Sequence, residues 1–184
     1  MRRVPDTLSP SDCAALVATF KARWWCSARN KALVALMLGS GLRCAEALAL
    51  DWADLDLQSG RLWVRHGKGN RDRIVWLPAG ALDILGAWRV RTTYDRVFCT
   101  RDGAPLQTRY VRRAIKRAGV RAGLALDVHP HMLRHTFATL LYRATLDLRI
   151  VQRALGHTDI RHTTIYTHVS DVDLQRAMQQ PHIE

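Results

Sequence analysis

Apolar positions along the chain recur mostly at helical spacing, with one short region where they alternate. Ser9-Pro10-Ser11-Asp12 carries the chemistry of a helix start: a capping hydroxyl, a proline in the first turn and an acid three residues after the cap. Leu16, Val17 and Phe20 continue as one apolar stripe. Ala28 to Leu38 predicts a second helix, apolar on nearly every side and therefore central, ended by Gly39-Ser40-Gly41. A short helix from Arg43 to Leu50 follows directly. Arg61 to His66 and Asp72 to Leu77 then alternate, with Leu62, Val64, Ile74 and Trp76 among the apolar positions. They flank Gly67-Lys68-Gly69-Asn70, which predicts a β-hairpin. A helix from about Gly80 to Arg89 comes next, and Val97 to Thr100, before the turn Arg101-Asp102-Gly103, suggests a third short strand. Helical spacing returns over Thr108 to Ala118, His131 to Arg143 and Leu148 to Leu155, the last stopped by Gly156. Short helices around Tyr166 and from Asp171 to Gln179 close the chain. The expected architecture is α+β, mainly α-helical, with a small antiparallel sheet.

Composition narrows the partner. A chain of 184 residues is long enough to bury a core in one domain. Its 28 Lys and Arg against 16 acids give a net charge of +12, which points to a partner bearing phosphates. A basic protein without a polyanionic partner is the alternative. Only four of the 28 are lysines, and guanidinium matches phosphate oxygens as a planar fork. Cys13, Cys26, Cys44 and Cys99 are scattered, without zinc-like spacing, and read as reduced, mostly buried thiols. The longest apolar run is far short of a membrane span and no targeting signal is evident, so the expected location is cytoplasmic.

Several short motifs carry candidate chemistry, each with an ordinary alternative. Arg43 opens a helix, where free N–H groups already favour anions, and Glu46 one turn on can hold its guanidinium. The pair could equally be a solvated ion pair. Lys68 sits at the hairpin tip between glycines, placed either to donate a proton to a departing alkoxide or merely in a solvent turn. His131 and Arg134, three apart at a helix start, share a face; one suits proton acceptance and the other an oxyanion clamp. His135, four after His131, would also fit a metal pair, but no carboxylate or thiol lies near in sequence to complete it. His129 has no assigned role. His157 follows Gly156 and would either donate to a phosphate oxygen or cap helix carbonyls. Tyr166 is either a core aromatic or a nucleophile that cationic neighbours activate. Arg109, Arg112, Arg113 and Lys116 form a basic helix stripe, DNA-facing or solvated.

Taken in order, GLRCAEALAL, GKGNRDR, HPHMLRH and LGHTDIRHTTIYTHV resemble the motifs of the tyrosine recombinase (phage integrase) family, from about Thr7 to the C-terminus. The second and last are similar to Xer-type enzymes; HPHMLRH and IRHT also resemble the short fimbrial DNA invertases. The resemblance implies that family's catalytic-domain fold over residues 1–184, without the N-terminal helical DNA-clamping (core-binding) domain. It implies a site-specific recombinase that acts on double-stranded DNA with no cofactor, metal or ATP. Tyr166 would attack the scissile phosphate and form a 3′-phosphotyrosyl bond. Arg43 and Arg134 would stabilise the non-bridging oxygens, Lys68 would protonate the leaving oxygen, His131 would accept the tyrosine proton and His157 would donate to phosphate. Glu46 would support Arg43. The stripe of Arg109, Arg112, Arg113 and Lys116 matches the family's DNA-facing helix. The last helix, with Leu174, Ala177 and Met178 on one side, would dock into a neighbouring subunit of a tetramer on DNA, or else onto its own domain; free protein would be monomeric or weakly associated, and nucleoid-associated in a bacterial cell.

Two departures from the family pattern stand out. The chain opens where a catalytic domain would, as a truncation or as a short member. Thr145 stands where glycine is common, and a left-handed cap there would cost about 1–2 kcal/mol, so a different turn is expected. Two other functions remain open: a sequence-tolerant, type IB topoisomerase-like transesterase, and an inactive DNA-binding regulator.

Overall fold

A computed structural model describes residues 6–65 and 72–156. Among them are seven α-helices and one two-stranded antiparallel sheet, in the order α1 (Pro10–Ala18), α2 (Trp25–Ser40), α3 (Cys44–Leu48), β1 (Arg61–Val64), β2 (Arg73–Trp76), α4 (Ala79–Arg89), α5 (Thr108–Arg121), α6 (Pro130–Thr145) and α7 (Leu148–Leu155). A 3₁₀ turn at Trp52–Asp54 precedes β1. The α+β, mainly helical architecture expected from the apolar pattern is the one observed. No helix among the described residues is long and apolar enough to cross a membrane.

Local chemistry explains the starts and stops. Ser9 Oγ accepts from the Asp12 N–H at 3.1 Å and the Asp12 carboxylate accepts from the Ser9 N–H at 3.0 Å, a reciprocal cap for α1. Helix α2 is the spine, with Ala32, Leu33, Val34, Leu36 and Met37 all buried, and it packs between α4 and α6. It also buries Arg29, whose Nη1 donates to the Cys99 carbonyl at 2.7 Å and whose Nη2 donates to Tyr110 Oη at 2.7 Å. Gly41, at φ 64°, ends α2 in the left-handed region, and a Cβ there would collide with the Phe137 ring. A smaller apolar cluster of Ala138, Val151 and Leu155 joins α6 to α7.

Three sequence expectations need correction. Val97 to Thr100 is not a strand: Val97, Phe98 and Cys99 are buried, but their neighbours form only isolated bridges, Asp51 with Arg96 and Cys99 with Pro105. The Val97 N–H goes to the Leu50 carbonyl and the Thr100 N–H to that of Ala104, so the segment's hydrogen bonds close without a ladder. The second hairpin strand has the opposite phase to that expected. Leu62 pairs with Val75 and Val64 with Arg73, so Val75 and Leu77 face the core while Trp76 is 63% exposed. Thr145, as expected, does not take a left-handed cap: helix α6 runs through it and the left-handed residue is Leu146, at φ 53°. The thiols are not mostly buried: Cys99 is, Cys13 and Cys44 are half-buried and Cys26 is exposed.

Candidate active site

Helix α3 begins at Arg43 because Glu46 reaches back over its first turn. Glu46 Oε2 accepts from the Arg43 backbone N–H at 2.8 Å, and Oε1 accepts from Arg43 Nη1 at 2.8 Å. This is no solvated pair: the Glu46 side chain is 8% exposed. A second guanidinium grips the same carboxylate from the side. Arg73, the last residue of GKGNRDR, donates Nη1 to Oε1 at 3.1 Å and Nη2 to Oε2 at 2.8 Å. Arg134 completes the cluster, with Nη1 3.9 Å from Oε2. Burial alone would raise the Glu46 pKa. The hydrogen bonds and charge of Arg73, joined by the bonds from Arg43, outweigh it and hold the carboxyl at about 2. Glu46 is therefore an anion over the whole physiological range.

Arg134 is buried and fixed at both forks. Its Nη1 donates to the Gly41 carbonyl at 2.6 Å and its Nη2 to the Leu155 carbonyl at 2.9 Å. Those acceptors are the ends of α2 and α7, and each end is bared by a left-handed glycine, Gly41 and Gly156. Arg43 keeps its side chain 32% exposed, so of the two candidate clamps it is the one open to an incoming oxyanion. His131 is exposed one turn before Arg134 on α6. Burial of its ring, then the charges of Arg134, His129 and Arg43, lower its pKa below the ordinary histidine value. It is thus neutral near pH 7 and able to accept a proton.

The two neighbouring histidines have structural explanations. His129 caps α6, its Nδ1 accepting from the Met132 N–H at 3.2 Å. His135 meets His131 edge to face, ring centroids 4.2 Å apart, and burial with adjacent positive charge drops its pKa to about 4. Among the described residues no three His, Cys, Asp or Glu side chains gather as a metal site. Lys68, His157 and Tyr166 lie outside the described residues, as do the hairpin tip and the helices expected around Tyr166 and over 171–179.

The basic stripe on α5 is exposed, and it wraps further round the helix than the sequence reading allowed. Arg112 is close enough to α3 for its charge to act on the Cys44 thiol, which places that flank beside Arg43. Lys116 pairs with Asp127 at 3.0 Å, both well exposed. On the opposite flank, Arg113, Arg117 and Arg121 line an open groove of about 520 Å³ with Lys21, Trp24 and Tyr110. Arg117 and Arg121 lie outside the four-residue stripe, although i, i+4 spacing from Arg113 links all three. Arg73 was missed as well, because the expected strand phase turned it outward.

The fold is that of a known family. The family description "Phage integrase family" matches residues 7–172, and the chain belongs to that family. It is 42% identical over 157 residues to tyrosine recombinase XerC of Xanthomonas axonopodis pv. citri, covering 84% of this chain and 51% of that one. It is 38% identical over 186 residues to XerC of Azotobacter vinelandii, covering 98% of this chain and 62% of that one. The chain thus spans about half the length of the first of these relatives. Among solved structures, XerA recombinase superposes with a TM-score of 0.85 at 32% identity, over all of this chain and 68% of that one. XerH recombinase bound to its difH substrate gives 0.81 at 32% identity, over 97% and 55%.

Proposed function

We propose that this chain cuts and rejoins double-stranded DNA at a specific site, through a covalent protein–DNA intermediate. The observation that carries the reading is the Glu46-centred cluster. It holds Arg43 half-open at a helix start, next to Arg134, a neutral His131 and the basic face of α5. Phosphoryl transfer asks little covalent chemistry of a protein beyond its nucleophile; it asks for position and for charge aimed at the developing oxyanion.

In this mechanism the Tyr166 hydroxyl attacks the scissile phosphorus and His131 takes its proton. The bond from phosphorus to the 5′ oxygen breaks, and Lys68 protonates that oxygen as it leaves. The product is a 3′-phosphotyrosyl ester and a free 5′ hydroxyl. Attack by a 5′ hydroxyl of a partner strand reverses the steps, and the ester's energy is conserved, so no nucleotide is consumed. Arg43, Arg134 and His157 stabilise the non-bridging oxygens, and the arginines together supply on the order of several kcal/mol to the transition state. Arg109, Arg112 and Arg113 contact the backbone of the bound duplex. Four copies assemble on DNA through the segment 171–179. The DNA-bound relative XerH supports DNA as the partner.

The test is capture from a pool of randomised duplexes, each nicked near its centre so that cleavage sheds a short 5′-hydroxyl fragment. The protein should become attached to DNA in a form that survives SDS, and Tyr166→Phe should abolish it while retaining DNA binding. Absence of any adduct from the unaltered protein, with binding intact, would refute the reading in favour of a DNA-binding regulator. Relaxation of a supercoiled plasmid without sequence preference would favour a topoisomerase-like enzyme instead.

A further inference from the structure

Arg73 sits where four parts of the site meet. It is the first residue of β2, opposite Val64, with its side chain turned inward and 9% exposed. Its fork closes on both oxygens of Glu46, at 3.1 and 2.8 Å, and its Nε donates to the Ala154 carbonyl at 3.1 Å. Arg134 takes the next carbonyl, that of Leu155, at 2.9 Å. Two guanidinium groups therefore hold successive carbonyls of the last turn of α7 while both approach one carboxylate. The stem is fitted as closely as the head: a Cβ on Gly156 would stand 3.0 Å from Arg73 Cδ, so the left-handed glycine also makes room for this side chain.

The carboxylate needs that grip. Glu46 has one covalent tether and two oxygens, each of which also serves Arg43, through its Nη1 and its backbone N–H. Rotation of the carboxylate plane would break one of those bonds and shift the other. A bidentate guanidinium fixes the plane, whereas an ammonium is a point charge that cannot. Bulk alone would be enough to tie β2 to α7, and a long apolar side chain could provide it. Only a planar fork also sets the direction in which Arg43 points.

We propose that Arg73 is a positioning residue for DNA cleavage: by orienting the carboxylate that holds Arg43, it aims the Arg43 guanidinium at the scissile phosphate. The inference rests on the function proposed above. The substrate for its test is the duplex recovered in the capture experiment, prepared also with a methylphosphonate at the scissile position, which has no charged non-bridging oxygen.

Arg73→Lys, Arg73→Met, Glu46→Gln and the double variant R73K/E46Q are compared by single-turnover cleavage, DNA affinity and thermal melting. Arg73→Lys should melt as a folded protein and bind DNA within about two-fold of the unaltered chain. Its cleavage should be about 100-fold slower, the usual penalty for a misplaced clamp. The double variant should be no slower than the slower single variant, since both act through one carboxylate. On methylphosphonate DNA the defect should shrink by at least about tenfold, because the charge the arginines serve is gone. Three results overturn the proposal: cleavage by Arg73→Lys at the unaltered rate, an equal defect on both duplexes, or multiplying defects in the double variant. Loss of the folded state in both Arg73 variants also counts against it, since the residue would then serve the fold. If the unaltered protein forms no adduct, the proposed function fails first; if it does and Arg73→Lys matches it, only this inference falls.

Discussion

Acid should unfold this protein partly through Glu46. The group's pKa falls from 4.5 to about 2 on folding, and its side chain is 8% exposed, so the shift reports on the folded state rather than on screened surface charge. The unfolded chain takes up the proton first. The stability due to ionised Glu46 is therefore complete above about pH 4.5 and is lost as the pH falls toward 2. A depression of that size is worth roughly 3 kcal/mol in full, and about 2 kcal/mol of it is gone by pH 3. Glu46→Gln keeps the shape but cannot titrate. It should be roughly 3 kcal/mol less stable at pH 7, and its stability should fall about 2 kcal/mol less between pH 7 and pH 3. Urea unfolding at a series of pH values, followed by tryptophan fluorescence, measures both. The two proteins differ by this one ionisable group, so the difference between the curves reports on Glu46. Parallel curves would refute the claim that Arg73 and Arg43 hold this carboxylate ionised.

Three further outcomes follow from the same structure. The His135 ring should stay neutral well below pH 6.5 and titrate near pH 4, and His131 should titrate below the ordinary histidine value; imidazole NMR titration reads both, and a His135 midpoint at 6.5 would contradict the packing described. Because that depression means the unfolded chain binds the proton first, His135 contributes stability that is present above pH 6.5 and drains away toward pH 4. Leu146→Gly should raise stability by about 1 kcal/mol in thermal melts, since a 76% exposed leucine at φ 53° loses strain and little burial. Arg112→Ala should reduce the slope of log affinity against log salt by about 1 on any duplex the protein binds, whereas an unchanged slope would remove Arg112 from the DNA contact.

How much of this was legible in the chain depended on the kind of signal. Three helix boundaries were, because they are written in short-range chemistry: Ser9 with Asp12 at α1, Arg43 with Glu46 at α3, Gly156 after α7; the start of α2 at Trp25, which has no capping side chain, was not. The identity of α2 as the spine was legible from its apolar perimeter, and Arg43, His131 and Arg134 do come together where their motifs implied. Val97 to Thr100 misled because a buried apolar run says nothing about whether a neighbour offers a ladder; here the Leu50 carbonyl and a local turn take its hydrogen bonds. That Thr145 would not be a left-handed cap was legible from its β-branch, but no local residue type marks Leu146 as the residue that takes the left-handed conformation.

The strand phase is the most instructive miss, because it hid a functional candidate. Reading Ile74 and Trp76 inward follows from treating the larger apolar side chains as core. A short strand with Arg73, Ile74, Val75, Trp76 and Leu77 in succession satisfies either phase on apolarity alone. What decides it is a charge on the other side of the site. Turning Arg73 inward is tolerable only because Glu46 is already there, ionised and holding Arg43 through its remaining lone pairs. With an apolar side chain in place of Glu46 the inward phase would bury a guanidinium with no acceptor there, and the outward phase, with Trp76 in the core, would be the better solution. The register of the hairpin and the arrangement of the arginine cluster are thus one decision. It follows that a change at Glu46 should disturb the packing of Trp76 and Val75, which no distance along the sequence would suggest; a shift of tryptophan fluorescence toward burial in a folded Glu46→Leu variant is the signature, and an unchanged spectrum would separate the two.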